Sequence, residues 1–502
     1  MTPDCLNPQN RANSLSPPLD VFDLSVRLET EGVTDTVARG TYGYASTWDM
    51  ADAHYPVPAP PRAAAAERGS LVGGWVEYFR GASFALPLLI CCAAMLVFHF
   101  SLWGGALEPE AAVAVAVGTL GSFVVSGGFI QAMARRGLFY FGCGQFRMCA
   151  ASSRQWLIWG AGATTVICLL GMVANASFDW MPASYAGLAA VFFLGLSFFW
   201  LAIGLLYILK QNLLVSASVL IGIAVVVLLH AVLKAALLPS QVAGLLGAIA
   251  FAVFAFTARM GDHIRRDSGK ERPLLLAREV YLAWPYFVYG FLYYLFLFAD
   301  RILAWTAGTE TAPFAIQFRG DYETALDIGL FAFMLQVGWV HYALTTYHRR
   351  LKVSLGAFSV SQADAFSRDI KRFYGKTTLW FFPVAAITTL ATYFLADQTG
   401  FLEGPLIRTA AMWSLLGFPF LVVGLWNASL LFALSRPMEV LISIGSACLA
   451  NLALGYLASR VGSYQDAIMG FAAGALLFAV VSGVYCLRTF RRLDYYQYTA
   501  AL

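Results

Sequence analysis

Long apolar runs, separated by short polar segments, fill the chain from about residue 80 onward. At about 1.5 Å per residue, each run is long enough to cross a hydrocarbon core of roughly 30 Å as a helix. We predict twelve membrane spans, centred on residues 82–104, 111–133, 156–175, 184–207, 212–233, 239–257, 279–305, 322–345, 377–396, 406–433, 438–459 and 465–487. The pattern therefore predicts an all-α integral membrane protein.

Composition agrees with this pattern and excludes several classes of protein. Hydrophobic residues make up 59% of the 502 positions and charged residues 12%, against about 25% charged in soluble domains. The net charge of +4 includes no dense basic block, which argues against nucleic-acid binding. Phosphate-binding loops, serine-hydrolase elbows and zinc-protease motifs are absent from the sequence, so we predict no cofactor and no enzymatic activity. The eight cysteines form no C-x-x-C pair, so no metal site is predicted.

The distribution of Lys and Arg predicts the topology. Of the 33 basic residues, 28 fall in alternate segments that begin with the N-terminal one. Because cytoplasmic loops carry the excess of Lys and Arg, both termini are predicted to be cytoplasmic.

Polar segments divide the chain into five parts. Residues 1–80 are rich in Pro, Ser, Asp and Thr and are predicted to form a disordered cytoplasmic tail without a cleaved signal peptide. Residues 81–258 form a first six-helix bundle, 259–278 a basic cytoplasmic linker, 279–488 a second six-helix bundle, and 489–502 a cytoplasmic tail. Within the loop 349–376, four apolar residues share one helical face: Ala363, Phe366, Ile370 and Phe373. This pattern fits an amphipathic helix on the inner leaflet, or a helix that binds a partner.

The seventh span carries a stripe of aromatic residues that ends in a carboxylate. The members follow one another at intervals of three or four residues: Tyr286, Tyr289, Tyr293, Phe296 and Asp300. Such spacing places them on one helical face, which favours a surface that contacts sugars or cations. Packing against neighbouring helices, with Asp300 paired to Arg301 at the interface, explains the stripe equally well.

Four ionisable residues are predicted to gather at the outer ends of spans seven and eight. Asp300 and Arg301 end span seven, and Glu323 and Asp327 lie on one face at the start of span eight. Charged groups inside a membrane are costly unless they are paired or face water, so this cluster is a candidate part of a substrate pathway. The alternative is a salt-bridge cluster at headgroup depth.

Several stretches resemble a known family. They are GSFVVSGGFIQAMARRGLFY in span two, FFWLAIGLLYILKQNLLVSASVLIGI across spans four and five, and YYLFLFADRILAW with DYETALDIGLFAFMLQVGW in spans seven and eight. These resemble the multidrug/oligosaccharidyl-lipid/polysaccharide (MATE/MOP) superfamily, and within it the PelG-like exopolysaccharide transporters. The sequence departs from the family pattern in two places, the long N-terminal segment and the stretch HYALTTYHRRL after span eight.

The resemblance implies two six-helix bundles around a central cavity in a bacterial inner membrane. It implies export of an amino-sugar exopolysaccharide, with a cytoplasmic glycosyltransferase and cyclic-di-GMP-responsive membrane subunits as partners. Acidic and tyrosine-rich surfaces suit a cationic polymer, whereas a carrier of lipid pyrophosphate needs basic residues. A lipid-linked oligosaccharide flippase, a multidrug antiporter and a membrane scaffold without a transport path are the alternatives.

Overall fold

In the computed structural model, the described residues are 21–55, 71–105, 107–265, 274–308, 314, 316–358 and 362–496. Twelve of the helices formed by these residues are long and apolar enough to cross a membrane, which confirms the predicted all-α membrane fold. The run Pro56–Ala66 and residues 266–273 of the predicted linker lie outside the described residues. The chain forms two compact units, 1–73 with 345–377 and 487–502, and 74–344 with 378–486.

The described residues form sixteen α-helices. Their bounds, in chain order, are α1 Val21–Thr30, α2 Asp35–Tyr42, α3 Thr47–His54, α4 Leu71–Ala82, α5 Leu86–Phe98, α6 Pro109–Gly142, α7 Phe146–Phe178, α8 Ala183–Ile208, α9 Asn212–Val226, α10 Leu237–Arg265, α11 Leu276–Trp305, α12 Gly320–Ala357, α13 Ala363–Gln398, α14 Pro405–Ala433, α15 Pro437–Val461 and α16 Ala467–Thr489.

Helices α1–α3 differ from the predicted disordered tail. They pack around a small apolar cluster centred on Val33, Ala38 and Met50. The Thr47 backbone N–H and hydroxyl both donate to the Asp35 carboxylate, at 2.8 and 2.9 Å. These hydrogen bonds hold the pKa of Asp35 below its ordinary value. The polar composition of this segment therefore led to a prediction of disorder, although a few apolar side chains pack three short helices together.

The predicted amphipathic helix of the second cytoplasmic loop is the start of α13. This helix runs without interruption from Ala363 to Gln398, so the segment is no separate helix on the membrane surface. Phe366 and Ile370 are buried, and the Tyr374 ring lies 5.3 Å from that of Phe490. Protein rather than lipid therefore covers much of its apolar face, with Ala363 and Phe373 half-buried.

The first membrane span lies earlier in the chain than predicted. It covers Gly73–Met95, where the sequence indicated 82–104. Glu77 and Arg80 made this region look polar, but they pair with each other at 3.1 Å. At the other end, α5 stops because His99 adopts a left-handed backbone conformation with φ of 61°. The first span thus begins nine residues before the predicted boundary.

We call α4–α10 the first half of the membrane-spanning helices and α11–α16 the second half, and two pairs of described helices bring these halves into close contact. Along the first seam, α6 and α11 approach so closely that a side chain on Gly290 would collide with the Gly127 carbonyl oxygen. Along the second, a side chain on Gly338 of α12 would meet the Tyr78 carbonyl oxygen of α4 at 2.7 Å. Small residues thus bring the backbones of the two halves into contact.

Candidate functional site

The predicted aromatic stripe of α11 lies mostly against its own half of the protein. The Tyr286 and Tyr289 rings each lie 5.0 Å from that of Phe432 on α14. Phe296 is fully buried and stacks on Phe471 of α16 at 5.4 Å. Tyr293 is only half-buried, with its ring 6.0 Å from that of Tyr289. Helix packing therefore explains three of the five members, and Tyr293 is the aromatic member that retains accessible surface.

A second stripe, offset by one residue, faces the first half of the protein. It contains Phe287, Gly290, Tyr294 and Phe298, again at helical spacing. The Phe123 ring of α6 lies 5.4 Å from Tyr294 and 5.3 Å from Phe298. Helical periodicity defined both faces, but only the tertiary structure shows which one meets α6.

The four predicted charged residues do come together at the end of α11. Arg301 forms ion pairs with Glu323 and, at 3.5 Å, with Asp327. The Trp305 indole N–H donates to the second Glu323 oxygen at 2.9 Å. The Arg301 side chain is 12% exposed, whereas that of Asp327 is 66% exposed. We call Asp300, Arg301, Glu323 and Asp327 the outer cluster.

Asp300 does not pair with Arg301 as the packing interpretation required. It is fully buried, and its carboxylate accepts a hydrogen bond of 2.7 Å from the Tyr322 hydroxyl. The other Asp300 oxygen has no hydrogen-bond partner among the described residues. A buried carboxylate oxygen without a partner is costly, so the hydrogen bonding of Asp300 within the outer cluster is incomplete.

The structure contains a second charged cluster that the sequence analysis missed. At the other end of α11, the Glu279 carboxylate is 1% exposed and accepts four hydrogen bonds. Arg136 of α6 donates two of them, at 3.0 and 2.6 Å. Tyr140 of α6 and Ser152 of α7 donate the others, at 2.5 and 2.8 Å. We call these four residues the inner cluster, and it joins the first half of the protein to the second.

The sequence contains a weak signal for the inner cluster. Arg136 and Tyr140 are four residues apart and therefore share a helical face at the end of the apolar run. Glu279 opens the seventh span, where an acid next to a basic linker looks like an ordinary solvated end. Helical spacing relates only residues that are close in the sequence, so it could not predict that Glu279 pairs with Arg136, 143 positions away.

Known structures share this fold. An outward-facing MATE multidrug transporter of the MOP superfamily matches 85% of the chain and 97% of its own length, with 13% identity and a TM-score of 0.56. A MATE crystal structure in the straight conformation matches 84% of the chain and 96% of its own, with 13% identity and a TM-score of 0.58. At such low identity the likeness establishes the MATE/MOP fold alone.

Sequence comparisons identify the family. No curated protein matches the chain. Residues 156–498, which include α11, α12 and the outer cluster, match the family model described as "PelG: Putative exopolysaccharide Exporter (EPS-E)". This match covers more than half of the chain and agrees with the transporter fold. The chain therefore belongs to the PelG family of exopolysaccharide exporters.

Proposed function

We propose that this protein exports an amino-sugar exopolysaccharide across a bacterial inner membrane, with both termini in the cytoplasm. The PelG family and the MATE/MOP fold support a polysaccharide transporter. The excess of Lys and Arg in alternate segments supports the orientation. A transporter role also supports the absence of enzymatic activity and of a cofactor.

The exposure of Asp327 carries the proposal. It lies seven residues after the start of α12, which is about 10 Å along the helix. A carboxylate at that depth is too costly to leave in lipid and faces water or a polar substrate instead. Its partner Arg301 is almost buried. The outer cluster therefore presents an anionic edge that is held by a fixed guanidinium.

The charge of the outer cluster favours one substrate class over another. It contains three carboxylates, Asp300, Glu323 and Asp327, and one guanidinium, Arg301. A partly deacetylated amino-sugar polymer is cationic and is attracted by such a surface, whereas a lipid pyrophosphate is repelled. This balance favours polymer export over lipid-linked oligosaccharide flipping.

Partners supply the polymer in this proposal. The sequence has no nucleotide-binding loop, so movement depends on polymerisation or on an ion gradient. A cytoplasmic glycosyltransferase and cyclic-di-GMP-responsive membrane subunits are the proposed partners, as the family resemblance implies. Co-purification from native membranes tests this, and isolation of the protein alone under conditions that preserve such complexes contradicts it.

The proposal is tested by Asp327→Asn, which removes the charge with little change of shape. Secretion of polysaccharide should fall by about tenfold, the equivalent of an interaction of about 1.4 kcal/mol. The matched control is Asp321→Asn, because Asp321 is exposed nearly two turns earlier on α12 and lies outside the cluster. Secretion is measured at equal membrane abundance, and equal secretion by the two variants contradicts the proposal.

A second test concerns the predicted pathway along α11. Asp300→Asn and Tyr293→Ala should each reduce secretion by about tenfold, whereas Tyr293→Phe should retain it because the ring survives. Normal secretion by both Asp300→Asn and Tyr293→Ala, at matched protein levels, removes the reason for placing the pathway on this helix. The helix would then serve only in packing.

A further inference from the structure

A basic pocket lies in the compact unit that contains residues 345–377 and 487–496. It has a volume of about 430 Å³. Six of the described residues line it: Asp364, Ser367, Arg368, Lys371, Phe490 and Arg491. The first four belong to α13, and the last two directly follow α16. Two segments that are distant in the sequence thus build one cavity.

The floor and the rim of this pocket differ in character. Ser367 and Phe490 are buried, and the ring of Phe490 is fixed against Tyr374 at 5.3 Å. Arg368, Lys371 and Arg491 are exposed around them. The pocket therefore combines a buried floor with an exposed cationic rim.

The three cations of the rim lack an acidic partner. None of Arg368, Lys371 and Arg491 forms an ion pair within the described part of the chain. The nearby Asp369 is already occupied, because Arg350 binds it through two hydrogen bonds of 3.0 and 2.6 Å. Among the described residues of the lining, only Asp364 adds a negative charge. Three like charges around one cavity repel one another unless an anion lies between them.

The position of these cations along their helices corresponds to the membrane surface. The segment from Thr377 to Ala396 of α13 contains no charged residue. Lys371 precedes it by six residues, which is about 9 Å of helix, and polar headgroups extend several ångströms beyond the hydrocarbon core. Arg491 follows the end of α16 by two residues. Long basic side chains at such positions reach the headgroup layer.

We propose that this pocket binds the phosphate of an anionic phospholipid headgroup. The cavity, the unpaired cations and their depth each fit a phosphodiester, and basic pockets between the ends of membrane helices bind such headgroups. This inference is independent of the polymer that the protein exports.

The test compares two triple variants of the full-length protein. Arg368→Gln, Lys371→Gln and Arg491→Gln together remove the rim of the pocket. Lys352→Gln, Arg372→Gln and Lys376→Gln remove the same charge from exposed cations that do not line it. Both proteins are placed in nanodiscs of phosphatidylcholine with phosphatidylglycerol, and native mass spectrometry measures the phosphatidylglycerol that each retains.

The expected result is loss of lipid from the pocket variant alone. Each basic residue near an anionic surface contributes about fivefold to affinity, so three should give a change on the order of a hundredfold. Equal loss from the two variants shows general attraction and overturns the proposal. Retention of inorganic phosphate without phosphatidylglycerol, tested in phosphatidylcholine nanodiscs, overturns the lipid assignment. Thermal unfolding of each variant confirms that it is folded.

Discussion

The inner and outer clusters lie at opposite ends of α11 and differ in the hydrogen bonding and the exposure of their charged groups. In the inner cluster, both Glu279 oxygens are fully hydrogen-bonded and the ion pair with Arg136 is buried. In the outer cluster, one Asp300 oxygen lacks a partner and Asp327 is exposed. A buried, fully satisfied pair holds a structure together, whereas an incompletely satisfied one is available to bind another group. We therefore expect the inner cluster to control stability and the outer cluster to control transport.

The largest effect on stability is expected from Glu279→Gln. Removing one partner of a buried ion pair leaves Arg136 as an uncompensated charge and typically costs about 3–5 kcal/mol. Thermal or denaturant unfolding of the purified protein in detergent measures this loss. The double variant Arg136→Met with Glu279→Leu serves as the control, because apolar replacement of both partners is often neutral. A single variant as stable as the parent contradicts the structural role of the inner cluster.

A smaller effect on stability is expected from Glu323→Gln in the outer cluster. Arg301 keeps Asp327 as a second partner, and the Gln side chain still accepts a hydrogen bond from Trp305. The cost should therefore be about 1.5–3 kcal/mol, the value of a hydrogen bond to a charged group. The same unfolding measurement applies. A loss as large as that of Glu279→Gln would erase the distinction between the clusters.

The smallest effect on stability is expected from Asp327→Asn, although this variant should affect secretion strongly. An exposed ion pair contributes about 0–1 kcal/mol, and the Asp327 side chain is 66% exposed. Unfolding at or near the parent's midpoint, together with poor secretion, assigns Asp327 to transport. Destabilisation that matches the loss of secretion contradicts that assignment.

The sequence predicts the fold of this protein better than its site. A chain that crosses lipid must form its backbone hydrogen bonds within each helix, so every long apolar run predicts one helical span. Twelve such spans are present among the described residues. The first span begins before its predicted boundary and includes the charged pair Glu77 and Arg80, which hydropathy alone does not place in a membrane helix. The outer cluster could be predicted from the sequence because Asp300 and Arg301 are adjacent, and a single helical hairpin connects them to Glu323.

The inner cluster and the orientation of α11 required the tertiary structure. Helical spacing shows that Tyr289 and Tyr293 share a face, but it does not identify the helix that they meet. The structure places Phe432 against Tyr289, whereas Phe123 contacts the neighbouring face through Tyr294. Contacts between distant helices depend on how the two halves assemble, and a periodic pattern carries no information about that.

The contact between Gly127 and Gly290 lies midway between the two charged clusters at the ends of α11. Gly290 is eleven residues from Glu279 and eleven from Arg301, so each cluster lies about 16 Å from the point of closest approach. A tilt of roughly 10° about it displaces the two ends in opposite directions by about 3 Å, which is enough to break hydrogen bonds near 2.9 Å. A rigid tilt of α11 about this contact would therefore disturb both clusters at once.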